Sequence, residues 1–157
     1  MIAPGSNDAL AIAIEMERVG NEFYTALSLA SRSAAVRRFC ALAARQEAEH
    51  LVTFTQLRQQ QGVTTPPAPA EARPGPVASA KARIQPDRDT VRQVAESSNL
   101  ADALAMAIDM ERGAVSYYQS LLPQMPSAAK DIRRIISEEM THVSALQALV
   151  AECVPRP

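Results

Sequence analysis

Two segments of this 157-residue chain are nearly identical, and both have the composition of a helix. Residues 9–18 (ALAIAIEMER) return as residues 103–112 (ALAMAIDMER), an offset of 94 positions. Residues 47–50 (EAEH) have their counterpart at residues 139–142 (EMTH), an offset of 92 positions. Self-similarity of this kind is typical of folds built from equivalent supersecondary units. The sequence therefore predicts two equivalent halves, each a helical hairpin.

Each hairpin is predicted to contain two long helices, because residues that lose little rotamer freedom in a helix dominate both halves. The predicted helices cover residues 8–29, 34–60, 101–122 and 127–152. One of Ser6, Asn7 and Asp8 is expected to cap the first helix, and Ser98 or Asn99 the third. Gly62, Pro123 and Pro155 are the expected stops. The fold class predicted is all-α.

A proline-rich segment, residues 61–98, separates the hairpins, which cover residues 8–60 and 99–153. Its six prolines exclude a long helix. Either it is a flexible linker, or it crosses the length of a four-helix bundle. We favour the crossover, with a short helix at residues 87–96. Residues 1–157 then form a single domain.

Composition narrows the possible partners. The net charge of −1 comes from intermixed signs, so nucleic acid is not an expected partner. No apolar stretch reaches the roughly 20 residues that span a bilayer, and the first residues do not resemble a signal peptide. We expect a soluble, cytoplasmic protein without membrane contact. Cys40 and Cys153 are expected to be reduced thiols, with Cys40 packed as a small hydrophobe.

Both histidines of the chain, His50 and His142, follow a glutamate by three residues. Residues three apart lie on the same face of a helix. A helical projection places six ionisable residues in apolar stripes that face the core. They are Glu17, Glu47, His50, Glu111, Glu139 and His142. Polar arcs elsewhere on each helix, including Glu15 on the first, are predicted to face solvent.

The depths of these residues in the hairpins also agree. In an antiparallel hairpin, residues at equal depth are centred on the turn. The midpoint of Glu17 and Glu47 is position 32, within the first predicted turn, and the midpoint of Glu111 and Glu139 is position 125, within the second. The acidic residues of each hairpin should therefore face each other.

Several ionised carboxylates in a core would each cost several kcal/mol, out of a total stability of about 5–15 kcal/mol. No inward Lys or Arg is expected to neutralise them. Two divalent cations would do so, since four glutamates and two such ions sum to zero charge. The alternative is a buried, partly protonated Glu/His network without metal. Carboxylate and imidazole ligands without thiolate favour iron, with manganese second.

This ligand pattern resembles the rubrerythrin branch of the ferritin-like superfamily. The resemblance implies two iron ions, with Glu17 and Glu111 as terminal or shifting carboxylate ligands, Glu47 and Glu139 as bridges, and one histidine on each ion. It also implies that Tyr24 and Tyr118, each seven residues after an inward glutamate, hydrogen-bond to carboxylate ligands. Core packing of both tyrosines is an equal alternative.

The chain departs from that family in two ways. It contains no Cys-x-x-Cys pair of a rubredoxin-like module, so its electrons would come from a separate donor protein. Ile108 stands where rubrerythrins tend to carry an additional glutamate, so redox-linked movement of an iron is not expected.

Two functions follow from the resemblance. The first is an oxidoreductase that reduces hydrogen peroxide or dioxygen at a di-iron centre. The alternative is a ferroxidase-type iron-handling protein, and a di-manganese catalase is a weaker option. A homodimer, with or without exchange of hairpins, is the expected oligomer.

Overall fold

Five α-helices and one short 3-10 helix make up the part of the chain that the computed structural model describes, residues 6–62, 87–97 and 99–155. The helices are α1 (Ser6–Ala30), α2 (Ala34–Gln60), α3 (Arg88–Glu96), α4 (Leu100–Leu121) and α5 (Ala129–Cys153), with the 3-10 turn Pro126–Ala128 before α5. These residues contain no β-strand. The all-α prediction is confirmed, and each end of the four long helices lies within two residues of its predicted position.

Local signals in the sequence explain where the helices begin and end. Ser33 caps α2 by accepting a hydrogen bond from the Val36 amide at 3.3 Å, and Asn99 caps α4 through the Asp102 amide at 3.1 Å. Gly62, with φ of 82°, follows α2 in the left-handed conformation that glycine adopts most easily. The predicted caps Ser6, Asn7, Asp8 and Ser98 fall outside the described side chains.

The two hairpins pack as an antiparallel four-helix bundle. The Tyr117 hydroxyl, near the end of α4, donates to the Ala9 carbonyl near the start of α1 at 2.8 Å. At the opposite end, Ser33 lies 3.6 Å from the Cys153 sulfur, which places the end of α5 beside the α1–α2 turn. The start of α4 is also at this end, because Leu100 and Ser33 line the same surface groove.

The segment between the hairpins connects opposite ends of the bundle. It leaves α2 at Gly62 and reaches Ser97 beside the α1–α2 turn, so the prediction of a crossover is confirmed. Its prolines lie among residues 63–86, outside the described residues. Its predicted short helix is α3, which begins at the N-cap Asp87 and buries Val91 and Ala95.

Two expectations about polar residues were wrong. The polar arc that includes Glu15 is predicted to face solvent, yet Glu15 is only 8% exposed. The reason is that α3 packs beside it, with Arg88 Nε 3.8 Å from Glu15 Oε1. The expectation that no Lys or Arg points inward is also wrong, because Arg58 of α2 is only 6% exposed. It lies eight residues after His50, about 12 Å further along α2.

The apolar core has two layers, one towards each end of the bundle. One layer contains Leu10, Ile14, Phe54, Leu121 and Ile132, and the other contains Val19, Phe23, Val36, Leu104 and Leu146. The inward ionisable residues lie between these layers along each helix. None of the described helices is long and apolar enough to cross a membrane.

Candidate metal centre

The six inward residues predicted from the sequence converge at mid-height of the bundle. Each is at most 4% exposed, and they come from all four long helices. The first hairpin contributes Glu17 from α1 with Glu47 and His50 from α2, and the second contributes Glu111 from α4 with Glu139 and His142 from α5.

These six residues form two overlapping groups of possible metal ligands. One group is Glu17, Glu47, His50 and Glu139, and the other is Glu47, Glu111, Glu139 and His142. Within each group, one ligand atom from every residue lies within 4.8 Å of the others. Glu47 and Glu139 belong to both groups. The arrangement has the composition and sharing expected of a dinuclear site.

Glu139 lies between the two histidine rings. Its two carboxylate oxygens point to different rings, with Oε1 3.0 Å from His50 Nδ1 and Oε2 2.9 Å from His142 Nδ1. Glu17 Oε2 lies 3.4 Å from His50 Nδ1, and Glu111 Oε1 lies 3.2 Å from His142 Nδ1. Both rings therefore direct Nδ1 at the carboxylates.

The inner polar atoms of the cluster have no hydrogen-bond partner. Among the described residues, these buried atoms are Oε2 of Glu17, Oε1 of Glu47, Nδ1 of His50 and His142, and both oxygens of Glu139. Buried polar atoms are normally satisfied, and a group of them facing one point is unusual. Carboxylate oxygens and imidazole nitrogens are ligands for divalent iron or manganese. The residues present therefore fit two metal ions.

Two tyrosines connect the hairpins at the edge of the cluster. The Tyr24 hydroxyl of the first hairpin donates to Glu111 Oε1 of the second. The Tyr118 hydroxyl of the second donates to Glu17 Oε1 of the first. Both tyrosines are at most 2% exposed. Each fixes a carboxylate of the opposite hairpin at the edge of the cluster.

Sequence reasoning missed two residues that contact the outer nitrogens of the histidines. Glu138 Oε2 lies 2.6 Å from His50 Nε2, and Gln46 Oε1 lies 2.9 Å from His142 Nε2. The signal was available in the repeat, since each directly precedes an inward glutamate at the offset of 92. Because both side chains are half-buried, at the border between the apolar and the polar face of their helices, a helical projection does not assign them to the core.

Comparison with known families agrees with this geometry. A family model, Rubrerythrin, matches residues 8–150, which include nearly all of the four long helices and every residue of the cluster. The chain belongs to the rubrerythrin family. Comparison with curated proteins and with solved structures gives no match.

Burial and crowding make two glutamates of this rubrerythrin-family site hard to ionise without a cation. Burial raises the pKa of Glu47 well above its usual value, and the nearby charges of Glu139, Glu17 and Glu111 raise it further. Burial and Glu139 raise the pKa of Glu111 to about 7, although His142 partly opposes the shift. Burial, together with the charges of nearby glutamates, also raises the pKa of Tyr24 and of Tyr118, so both phenols remain protonated.

The pKa values of both imidazoles are raised, which favours their protonated, positively charged forms beside the carboxylates. Burial opposes their protonation, but the glutamates outweigh it. Close contact with the charges of Glu139 and Glu17 raises the pKa of His50 to about 11, and close contact with Glu111 and Glu139 raises the pKa of His142 to about 9. Without metal, protons therefore take the place that cations would occupy.

A small cavity between α1 and α4 reaches the cluster. Its volume is about 10 Å³, the lower limit for one water-sized molecule. Repeat-related residues line it from both helices: Met16 and Met110, Gly20 and Ala114, and Tyr24 and Tyr118, with Glu47 and Glu111. The cavity therefore has room for about one water-sized molecule beside the cluster.

Gly20 leaves space for the Glu47 carboxylate. A Cβ at this position would lie 2.7 Å from Glu47 Oε2, closer than real Cβ contacts. Gly20→Ala should therefore displace Glu47 and lower metal affinity about ten-fold, in the range found when ligand support is lost. Isothermal titration of metal-free protein would measure this.

Stability distinguishes displacement of Glu47 from general damage by Gly20→Ala. Alanine favours a helix over glycine by roughly 0.5–1 kcal/mol, which offsets part of the steric cost. Ala114→Gly, at the repeat-related position, is the matched control and should destabilise the fold while leaving metal affinity unchanged. Unaltered affinity in Gly20→Ala would show that Glu47 does not need this space.

Proposed function

We propose that this rubrerythrin-family protein binds two iron ions in the bundle core and reduces hydrogen peroxide or dioxygen there. The observation that carries the proposal is the set of buried carboxylate and imidazole atoms that face one another without hydrogen-bond partners. A core that held no cations would have to protonate or pair these atoms. The family match supports the same chemistry.

The two overlapping groups suggest the role of each ligand. Glu47 and Glu139 would bridge the ions, because each belongs to both groups. Glu17 and His50 would complete one position, and Glu111 and His142 the other. Four ionised glutamates and two divalent ions give zero net charge with neutral imidazoles, which removes the cost of buried charge.

Iron is proposed over manganese on the family match and the donor set. Neither ligand group contains a thiolate. Burial raises the pKa of Cys40 to about 12, so it remains a thiol and packs in the apolar layer next to the site. Geometry, rather than raw affinity, would have to exclude zinc and copper from such a donor set.

When bound, two ferrous ions supply the two electrons that, with two protons, convert hydrogen peroxide into two water molecules. The protein's own residues control access and protons. Tyr24 and Tyr118 hold a proton on each phenol oxygen beside the cavity and keep Glu111 and Glu17 in position. The apolar layers on both sides exclude bulk water. The narrow cavity favours a small oxidant over an organic substrate.

Two features of the proposed activity involve other molecules. We propose that the electrons for repeated turnover come from a separate donor protein. We also propose a homodimer, as expected for a bundle of this kind. Sedimentation of the metal-loaded protein would measure the oligomeric state.

Stopped-flow oxidation of the reduced, iron-loaded protein tests the function. Anaerobic protein with two ferrous ions should be oxidised rapidly by one equivalent of hydrogen peroxide, and a chemical reductant should restore the reactive form over many cycles. Glu111→Gln should lose most of this rate, whereas Glu49→Gln, at a side chain that is 65% exposed, should keep it.

The same experiment separates the alternatives. Oxidation that stops after one cycle and resumes only when fresh ferrous iron is added would identify a ferroxidase-type iron-handling protein. A reduced site that peroxide and dioxygen both leave unchanged would exclude the proposed reaction.

A further inference from the structure

The two halves of the bundle differ where they support the histidines. The repeat aligns Gln46 with Glu138 and His50 with His142. In the structure the support is exchanged between hairpins, since Glu138 of the second hairpin contacts His50 of the first at 2.6 Å. Gln46 of the first contacts His142 of the second at 2.9 Å. One histidine is therefore backed by a carboxylate and the other by a neutral amide.

The orientation of each imidazole ring determines which of its two nitrogens carries the proton. Nδ1 of both rings faces the inner carboxylates, as the 3.0 Å contact of His50 and the 2.9 Å contact of His142 with Glu139 show. A ring that gives its Nδ1 lone pair to a cation carries its proton on Nε2. The Nε2–H group of each ring then donates a hydrogen bond, to Glu138 in one case and to Gln46 in the other. Both acceptors therefore fix the tautomer that is protonated on Nε2.

The two acceptors differ in charge. A carboxylate that accepts from the outer nitrogen raises the basicity of the imidazole and strengthens its bond to a metal. An amide oxygen fixes the ring but adds no negative charge. Arg134 holds the Glu138 carboxylate in place from 3.1 Å, but its own side chain is 47% exposed, so solvent weakens its opposing charge.

We propose that the metal position at His50 binds its ion more tightly than the position at His142 and fills first, with Glu138 as the positioning residue responsible. This rests on the proposed binding of two ions. Loss of such an outer partner typically costs 10–100-fold in metal affinity. Exchanging a carboxylate for an amide keeps the hydrogen bond, so we expect about a ten-fold difference.

The identity of the first-filled position is the decisive measurement. Repulsion between two cations separates the binding steps even at identical positions, so two affinities alone decide nothing. The chain has two histidines, which give two pairs of ring-nitrogen signals in nitrogen-15 spectra. Zinc(II) is the probe, because it is diamagnetic and shifts mainly the ring that it binds, although the two ring centroids are only 6.5 Å apart. With one equivalent of zinc(II), the His50 signals should shift while most of the His142 intensity stays in place.

Exchanging the two acceptors supplies the matched controls. Glu138→Gln should weaken the first binding step about ten-fold in calorimetric titration with zinc(II), and Gln46→Glu should strengthen the second step by a similar factor. The double variant should reverse the order, so that the His142 signal changes first. A merely structural role for Glu138 would lower the stability of the metal-free protein without changing this order.

The outcomes separate the inference from the proposed function. If two zinc ions bind but the signals of both histidines change together, or if the double variant keeps the original order, the inference is wrong and the dinuclear site stands. If no zinc binds while the protein remains folded, the metal-binding function itself is wrong.

Discussion

Replacing Glu47 with glutamine should have opposite effects on the metal-free and the metal-loaded protein. Glutamine cannot serve as an anionic bridge, so we expect metal affinity to fall about 100-fold or more. In the metal-free protein the same change should stabilise the fold by roughly 1–3 kcal/mol at pH 7. Burial and three neighbouring glutamates raise the pKa of Glu47, so its ionisation opposes folding, and glutamine resembles the protonated form.

Chemical unfolding with a chelator, and again with saturating ferrous iron under anaerobic conditions, would measure both effects. Glu49→Gln is the control, because it removes the same charge from the same helix at a side chain that is 65% exposed. That variant should change stability by less than about 0.5 kcal/mol in either condition. A Glu47→Gln protein that is less stable without metal would mean that the carboxylates are tolerated for another reason.

The sequence alone was sufficient to predict the bundle and the cluster of six residues. The repeat established two equivalent hairpins, and helical periodicity then assigned each acid to a face. The position of the first turn, midway between Glu17 and Glu47, was enough to match these two acids in depth. These properties are local or depend on the symmetry of a hairpin, and for that reason they can be derived without knowing how the hairpins pack.

Features that depend on packing between distant segments could not be derived in this way. Glu15 is buried by α3, and nothing in the periodicity of α1 shows that a crossover helix lies on that face. The contacts of Glu138 and Gln46 with the histidines depend on the distance between α2 and α5. A projection of a single helix places both residues at the edge of a stripe and leaves their partner undefined.

The exchange of contacts between hairpins explains why one hairpin would not make a site. Tyr24 fixes Glu111 and Tyr118 fixes Glu17, so each tyrosine supports the acid of the other half. Glu139 contacts the imidazoles of both halves. Each half therefore supplies ligands that its counterpart helps to hold in position. Folding of the whole bundle and formation of the cluster are coupled for this reason.

The stability of the metal-free protein should decrease as the pH rises from 5.5 to 7.5. The pKa of Glu111 rises from 4.5 to about 7, so its burial costs nothing below pH 4.5 and costs most above about 7. The pKa values of His50 and His142 rise from 6.5 to about 11 and about 9. Their stabilising contribution is complete below pH 6.5 and is lost as the pH approaches those folded values. Both effects have the same sign.

Metal ions should reverse this trend, because they displace the protons that the cluster holds. Between pH 5.5 and 7.5 we expect the metal-free protein to lose roughly 3–6 kcal/mol, which corresponds to about 10–20 °C in the unfolding temperature. The rise in unfolding temperature on adding ferrous iron should therefore be small at pH 5.5 and large at pH 7.5. Calorimetry at pH 5.5 and at pH 7.5 would measure this rise in unfolding temperature. Glu47→Gln is the control, because iron should have little effect on its unfolding temperature. A metal-induced rise that is larger at pH 5.5 would show that protons and cations do not compete for these six side chains.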